Sequence, residues 1–288
     1  MADNRIMLLY NALSDGGAIA AGYGSWTAGL PLANLQNSQL FKRARSTNLN
    51  LTSTRFRIGF STPIAQRVFL LGPHNGSGGM QYRIRGYSNS GYSTLIFDTG
   101  WIGRSVSSLT LPWETFNWWL GGAGTENDDP EVRPWIIHVF DEQVTAQFWQ
   151  LEIDDTGNAA GYFEAGRLFM ADWWEPSINY QYGNNGLTFE PNVIREKSIS
   201  GAEYSSRLGP AVRVFSFNLD HLPDAEMYSS AYRMMRMAGD DREVFVIPDP
   251  ADAFIQRRSF LGRLRSIGGL SQNTYQRGGT SFELKELI

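Results

Sequence analysis

The chain reads as mainly β, a β-sandwich followed by a smaller α+β domain with an antiparallel sheet and one helix. Three observations lead there. Short segments of alternating polar and apolar residues recur through roughly the first 175 residues, separated by turn signals and without helical periodicity. The 30 glycines and 12 prolines punctuate the whole chain, and only 19% of residues are charged, which suits many short strands joined by turns. At 288 residues the chain is long for a single core, and domains of about 100–200 residues imply two.

The elements follow in order. Arg55 to Phe60 alternates as a strand with one buried face does. Gln66 to Leu71 is strand-like and meets a terminator at Gly72-Pro73. Gln81 to Tyr87 alternates again, with Tyr82, Ile84 and Gly86 on one face. Trp135 to Phe140 is a continuous apolar run, as in a central strand. Next, Trp149, Leu151 and Ile153 face one way, and Phe148, Gln150 and Glu152 the other. Asp154-Asp155-Thr156-Gly157-Asn158 is turn chemistry, and a further strand spans Tyr162 to Met170. The Gly-rich, acidic stretch 121–130 reads as a surface loop.

Trp173-Trp174-Glu175-Pro176 marks the seam, giving domains at 1–174 and 175–288. In the second, Val212, Val214, Phe215 and Phe217 alternate with one local slip. A helix is expected over about 223–238: Pro223, Asp224 and Glu226 suit its first turn. Met227, Ala231, Met234, Met235 and Ala238 form its apolar stripe, and Gly239 ends it. Met235 and Met237 broaden the stripe and are candidates for a subunit interface.

Composition excludes several functions. With no cysteine there are no disulfides, thiolate zinc sites or cysteine nucleophiles. The net charge is −4 and no basic patch offers phosphate neutralisation, which disfavours nucleic acid. The apolar run at 6–10 is shorter than the roughly 7–15 residues of a signal-peptide core. No stretch reaches the ~20 apolar residues of a membrane helix, so the expectation is synthesis in a cytoplasm without membrane insertion. Lys42, Lys197 and Lys285 are the only lysines among 25 basic residues. Arginine is enriched at protein interfaces, and biased base composition explains the same pattern equally well.

Several segments resemble tailed-bacteriophage tail-tip proteins of the minor tail, baseplate or distal tail type. They are Ile6 to Asn11, Leu30-Pro31-Leu32-Ala33-Asn34-Leu35-Gln36, Ala44-Arg45-Ser46, Gly72-Pro73-His74-Asn75, Asp98-Thr99-Gly100-Trp101, and Phe148 to Asp155 with Gly161 to Phe169. Phe215-Ser216-Phe217 and Phe260 to Leu264 extend the resemblance over nearly the whole chain. It implies an N-terminal galactose-binding-like (discoidin-like) jelly-roll and a C-terminal tail-docking domain. The function implied is structural, in the virion's tail tip, as a homo-oligomeric ring or peripheral subunit. Its partners would be other tail proteins: tube, hub, baseplate or fibre subunits.

The alternative is an adhesion module for host-surface carbohydrate. Its candidate residues are Trp101, Trp113, Trp118 and Trp119, whose rings stack on sugars, with His74 and Asn75 in the loop after a strand. Packing is the commoner fate of tryptophan and is the favoured reading. Asp128, Asp129 and Glu131 are weak calcium candidates, since their spacing matches no EF-hand. His74, His138 and His221 lack metal-ligand spacing, and His138 reads as a hydrogen-bonded structural residue. No nucleophile elbow or phosphate loop occurs, so neither catalysis nor a cofactor is expected.

Overall fold

The computed structural model describes residues 5–103, 134–183 and 185–288. The chain forms two compact units, Ala12–Asp172 and a second made of Met1–Asn11 with Trp173–Ile288. Strand β1 (Met7–Ala12) accounts for the split assignment. Its residues Met7 to Tyr10 pair antiparallel with Ile247 to Val244 near the other end of the chain. The expected 1–174 domain is corrected accordingly. Residues 5–11 belong with the C-terminal half because the hydrogen-bonding partner of β1 lies there.

The inserted unit contains β2 (Ala18–Ala20), β3 (Ala44–Arg45), β4 (Arg55–His74), β5 (Gln81–Tyr87), β6 (Leu95–Asp98), β7 (Ile102–Gly103), β8 (Ile136–Asp154) and β9 (Glu164–Phe169). Their order is β3-β9-β4-β8-β5-β6, with β2 on β4 and β7 on β5. The two long strands β4 and β8 pair in three stretches interrupted by register shifts. One half of this ribbon is extended by β5, which pairs with 148–154 of β8. The other half is extended by β9, which pairs with 70–74 of β4. Phe56 and Ile58 from the first half and Phe69 and Leu71 from the second share one core cluster. The bulges therefore bend the ribbon across itself into two facing layers. Strand β4 continues past Gly72-Pro73, where a terminator was expected; Gly72 pairs with Arg167 and His74 with Ala165, and Pro73 is passed over.

Both bulges set four residues against one. On β4, 60–63 lie opposite Gln147; on β8, 140–143 lie opposite Arg67. Gln147 Nε2 donates to the carbonyls of Phe60 and Ser61 at 3.0 and 3.1 Å, which satisfies backbone groups the ladder leaves behind. The Arg67 guanidinium donates to the Phe140 carbonyl in the same way.

The second unit adds β10 (Ala171–Trp174), β11 (Gly186–Glu190), β12 (Val193–Lys197), β13 (Glu203–Arg207), β14 (Val212–Pro223), β15 (Glu243–Ile247), β16 (Phe260–Ile267), β17 (Ser271–Thr274) and β18 (Arg277–Glu286). Its antiparallel sheet runs β10-β1-β15-β16-β18-β14-β11, with β17 on β18; β12 and β13 form a separate ribbon. The helix is present as α1 (Asp224–Glu226), a π turn over Met227–Ala231 and α2 (Tyr232–Ala238). Met227, Ala231, Met234 and Ala238 are fully buried against Phe217, Leu219, Val244 and Phe282, with Met235 and Met237 packed at the margin. A short α3 (Ile255–Arg258) precedes β16. The slip at Val214–Phe215 is no bulge: pairing is continuous there, and the strand buries residues on both faces. No helix among the described residues is long and apolar enough to cross a membrane.

Candidate functional site

The β8 bulge turns Phe140 to Gln143 out of the ladder, and β6 with the turn to β7 lies across from it. Between them is a cavity of about 580 Å³ lined by Phe97, Asp98, Thr99, Ile102 and residues 138–145. That volume is in the range of small-molecule sites.

Its floor is aromatic. Phe97 meets Phe140 edge-on at 5.1 Å between centroids, and His138 meets Phe140 edge-on at 4.7 Å. His138 Nδ1 lies 3.2 Å from the Tyr82 hydroxyl. Burial raises the Tyr82 pKa to about 12. Burial lowers that of His138 to about 4, against a weaker opposing pull from Asp141. The phenol therefore keeps its proton and donates to a neutral imidazole, whose Nε2 we assign as the protonated nitrogen.

The wall is held by charge. Arg83 Nε donates to Asp98 Oδ1 at 2.8 Å and its NH2 donates to Oδ2. Gly100 N donates to Oδ1 at 2.8 Å. The Arg83 hydrogen bond, then the Gly100 amide and the nearby Arg83 and Arg85 charges, lower the Asp98 pKa against the opposing effect of burial. Thr99 Oγ1 accepts from Ile84 N at 2.9 Å and donates to the Gly100 carbonyl at 2.8 Å. These bonds fix the β6–β7 turn before any ligand arrives. Asp141, Glu142 and Gln143 form an exposed rim. Among the described residues no lysine or arginine lines the cavity.

The expected site residues are dispersed. Trp101, 39% exposed, lies on the turn between the lining residues Thr99 and Ile102. His74 is buried, accepts from Gly76 N at 2.9 Å and faces Phe163. Asn75 holds neighbouring backbone: its amide donates to Tyr162 O and accepts from Glu164 N, and its carbonyl accepts from Asn158. The His74 ring and the Asn75 amide are thus engaged within the fold, with Asn75 half-buried in the loop directly after β4. Trp113, Trp118, Trp119, Asp128, Asp129, Glu131 and the 121–130 loop lie outside the described residues.

At the Asp154–Asn158 turn, a smaller cavity of about 180 Å³ is lined by Asp154 and Asp155. Asp155 accepts from Ser77 N and Oγ and from Asn158. Among the described residues no group of three or more His, Asp or Glu is placed to hold a metal. The main cavity escaped sequence reading because its two walls are some forty residues apart; the abrupt change from Phe140 to Asp141-Glu142-Gln143 is the local trace of it.

No protein-family model matches the chain, and a search of curated proteins finds no match. Solved structures similar to the chain include two carbohydrate-binding modules. One is CBM32-1 of a family 31 glycoside hydrolase from Clostridium perfringens, at 8% identity and a TM-score of 0.37, over 57% of this chain and 99% of that one. The other is the family 32 CBM of C. perfringens NanJ in complex with galactose, at 12% identity and a TM-score of 0.35, over 58% and 99%. The sandwich assignment itself rests on the strand pairing described above.

His138 also sets a pH dependence. Its folded pKa lies below the unfolded value of about 6.5, so its stabilisation is full above pH 6.5 and is lost as pH falls toward 4. Urea titrations at pH 7 and 4.5 are expected to show the wild type losing about 2 kcal/mol more than His138→Asn, after discounting for partial exposure. Equal losses in the two proteins would remove this role.

Proposed function

We propose that the inserted sandwich binds a neutral saccharide, without turnover, in the cavity between β6 and the β8 bulge. The observation that carries this reading is the lining itself. An aromatic floor of Phe97 and Phe140 adjoins hydrogen-bonding groups on Asp98, His138, Asp141 and Gln143. Apolar sugar faces need the first and hydroxyl groups need the second. Among the described lining residues, three carboxylates and no cation disfavour anionic sugars and phosphates.

The test is a glycan array with the full chain, followed by calorimetry on Asp141→Ala and Gln143→Ala. Both side chains are exposed, so neither change disturbs the core. Each is expected to weaken binding of a neutral glycan about five- to tenfold, the worth of about one hydrogen bond. An array without neutral ligands, or variants that bind as the wild type does, would overturn the assignment.

A second reading, a structural subunit of a phage tail tip, is favoured by the surface of the other unit. Tyr182, Tyr275, Phe189, Tyr228 and Tyr232 are all exposed there, and large exposed aromatics are enriched where proteins meet. Immunogold labelling of particles in a lysate separates the readings: gold at the tail's distal end supports assembly, whereas protein found only free of particles rejects it.

A further inference from the structure

Arg55 and Arg57 stand two residues apart on β4, so their side chains leave the same face of the sheet. Opposite them on β8 are Glu152 and Gln150, and beyond these on β5 are Arg83 and Arg85. The β5 arginines are neutralised: Asp98 clasps Arg83, and Glu152 Oε2 pairs with Arg85 at 3.1 Å. Glu152 Oε1 accepts from Gln150 Nε2 at 2.8 Å, so both of its oxygens are engaged away from β4.

The β4 arginines have no such counter-ion. Among the described residues no carboxylate pairs with either one. Arg57 Nε donates to Gln150 Oε1 at 2.7 Å, which leaves its terminal nitrogens without an acceptor. The Arg55 side chain donates to nothing, and its Nε is buried. What the fold supplies instead is aromatic. The Tyr23 ring centre lies 5.2 Å from the Arg55 guanidinium and 4.9 Å from that of Arg57, and Tyr92 covers Arg57 at 4.0 Å. The turn carrying Tyr23 is pressed onto β4. A Cβ on Gly22, whose φ is +61°, would come within 2.8 Å of Arg57 Cδ, and one on Gly24 within 2.0 Å of the Arg55 carbonyl. Trp26 Nε1 donates to that carbonyl at 3.0 Å. Tyr23 itself stays 71% exposed.

Two cations held side by side repel each other, and their contacts with an aromatic face offset only part of that cost. An oxyanion offsets the rest, because guanidinium N–H groups match its oxygens in pairs. We propose that Arg55 and Arg57, beneath Tyr23, form a binding site for an oxyanion, a carboxylate or a sulfate or phosphate group, carried by an acidic ligand. The site shares no residue with the cavity between β6 and the β8 bulge, so it stands independently of the saccharide reading.

Nitrogen-15 NMR of the full chain tests this through the arginine Nε–H signals, assigned with single Arg→Lys variants. Sodium sulfate and sodium acetate are titrated against sodium chloride at matched ionic strength. The Arg55 and Arg57 signals are expected to shift saturably with sulfate or acetate, half-saturating on the order of 10 mM, while Arg83 follows the chloride control. Saturation by acetate alone identifies a carboxylate site, and saturation by sulfate alone a site for tetrahedral oxyanions. Arg55→Gln has no hydrogen bond to lose, so its fold is expected to be intact. It is expected to weaken the response at Arg57 about tenfold or more. Shifts that merely follow chloride overturn the proposal, as do equal shifts at Arg83 or an Arg57 response unchanged in Arg55→Gln.

Discussion

Trp149→Ala is expected to lower unfolding free energy by about 3–5 kcal/mol, as deletion of a fully buried tryptophan does. The residue is 1% exposed and sits on β8 between Ile58 of β4 and Gly86 of β5. The absent side chain of Gly86 makes room there; a Cβ would come within 2.9 Å of Ala146 and 3.8 Å of the Trp149 ring. The indole packs 6.0 Å from Phe140 and its Nε1 donates to the Ala146 carbonyl at 3.2 Å. Because Phe140 is also the cavity floor, the cavity should widen as the sandwich weakens. Trp149→Phe keeps most of the packing and loses the hydrogen bond, with an expected cost of about 1–2 kcal/mol. Urea denaturation of the three proteins gives the ranking, and equal midpoints would show that the indole carries no such weight.

Arg213→Ala is expected to cost about 2–4 kcal/mol, and to do so in the other unit. The guanidinium forks onto Glu286, with Nε to Oε2 at 2.9 Å and NH2 to Oε1 at 2.6 Å. Its NH1 reaches the carbonyls of Gln256, Arg257 and Ser259 at 3.3, 2.8 and 3.2 Å. The cation also lies 5.1 Å from the Phe260 ring centre. One side chain thereby ties β14 to the end of β18 and closes the carbonyl end of α3. Both partners are only 12–13% exposed, so removal of the cation leaves a poorly hydrated carboxylate and three carbonyls short of a donor. Arg213→Lys retains charge but not the fork, and should recover less than half of the loss. Thermal unfolding of both variants, with Glu286→Gln to complete the comparison, measures the coupling. Independent effects of Arg213 and Glu286 would contradict the clamp.

Strands with one buried face were legible because alternation is a local property. Trp149, Leu151 and Ile153 lie in the core and Phe56 and Ile58 join them, as their spacing predicts. The helix was legible from its Met and Ala stripe, although the π turn over Met227–Ala231 leaves no mark in a 3.6-residue pattern. Partner choice was not legible. Nothing within Met7 to Tyr10 indicates that β15 rather than a neighbouring strand will pair with it. The bulges were half visible: Pro63 lacks the N–H a ladder requires and lies in the β4 excursion. Its counterpart, Phe140 to Gln143, contains neither proline nor glycine. The cavity depends on that second excursion, so it emerged only from the register of two strands. Trp101 stands out in the sequence for its chemistry, whereas Phe140 reads only as the end of a central strand and Phe97 carries no signal of its own.

The pairing of β1 with β15 has a consequence for how the chain comes into being. A ribosome emits residue 8 long before its partner, residue 246. At about 5–20 residues per second, the opening strand waits on the order of tens of seconds with its apolar side chains unsheltered. The inserted unit, whose pairings all lie within 12–172, can be complete by then. The C-terminal unit cannot begin its sheet in final form until β15 has been made, because β1, an interior strand of that sheet, precedes the whole inserted unit. Closing it joins two segments on opposite sides of the inserted unit in the sequence, so damage to β1 or to β15 reaches the same core.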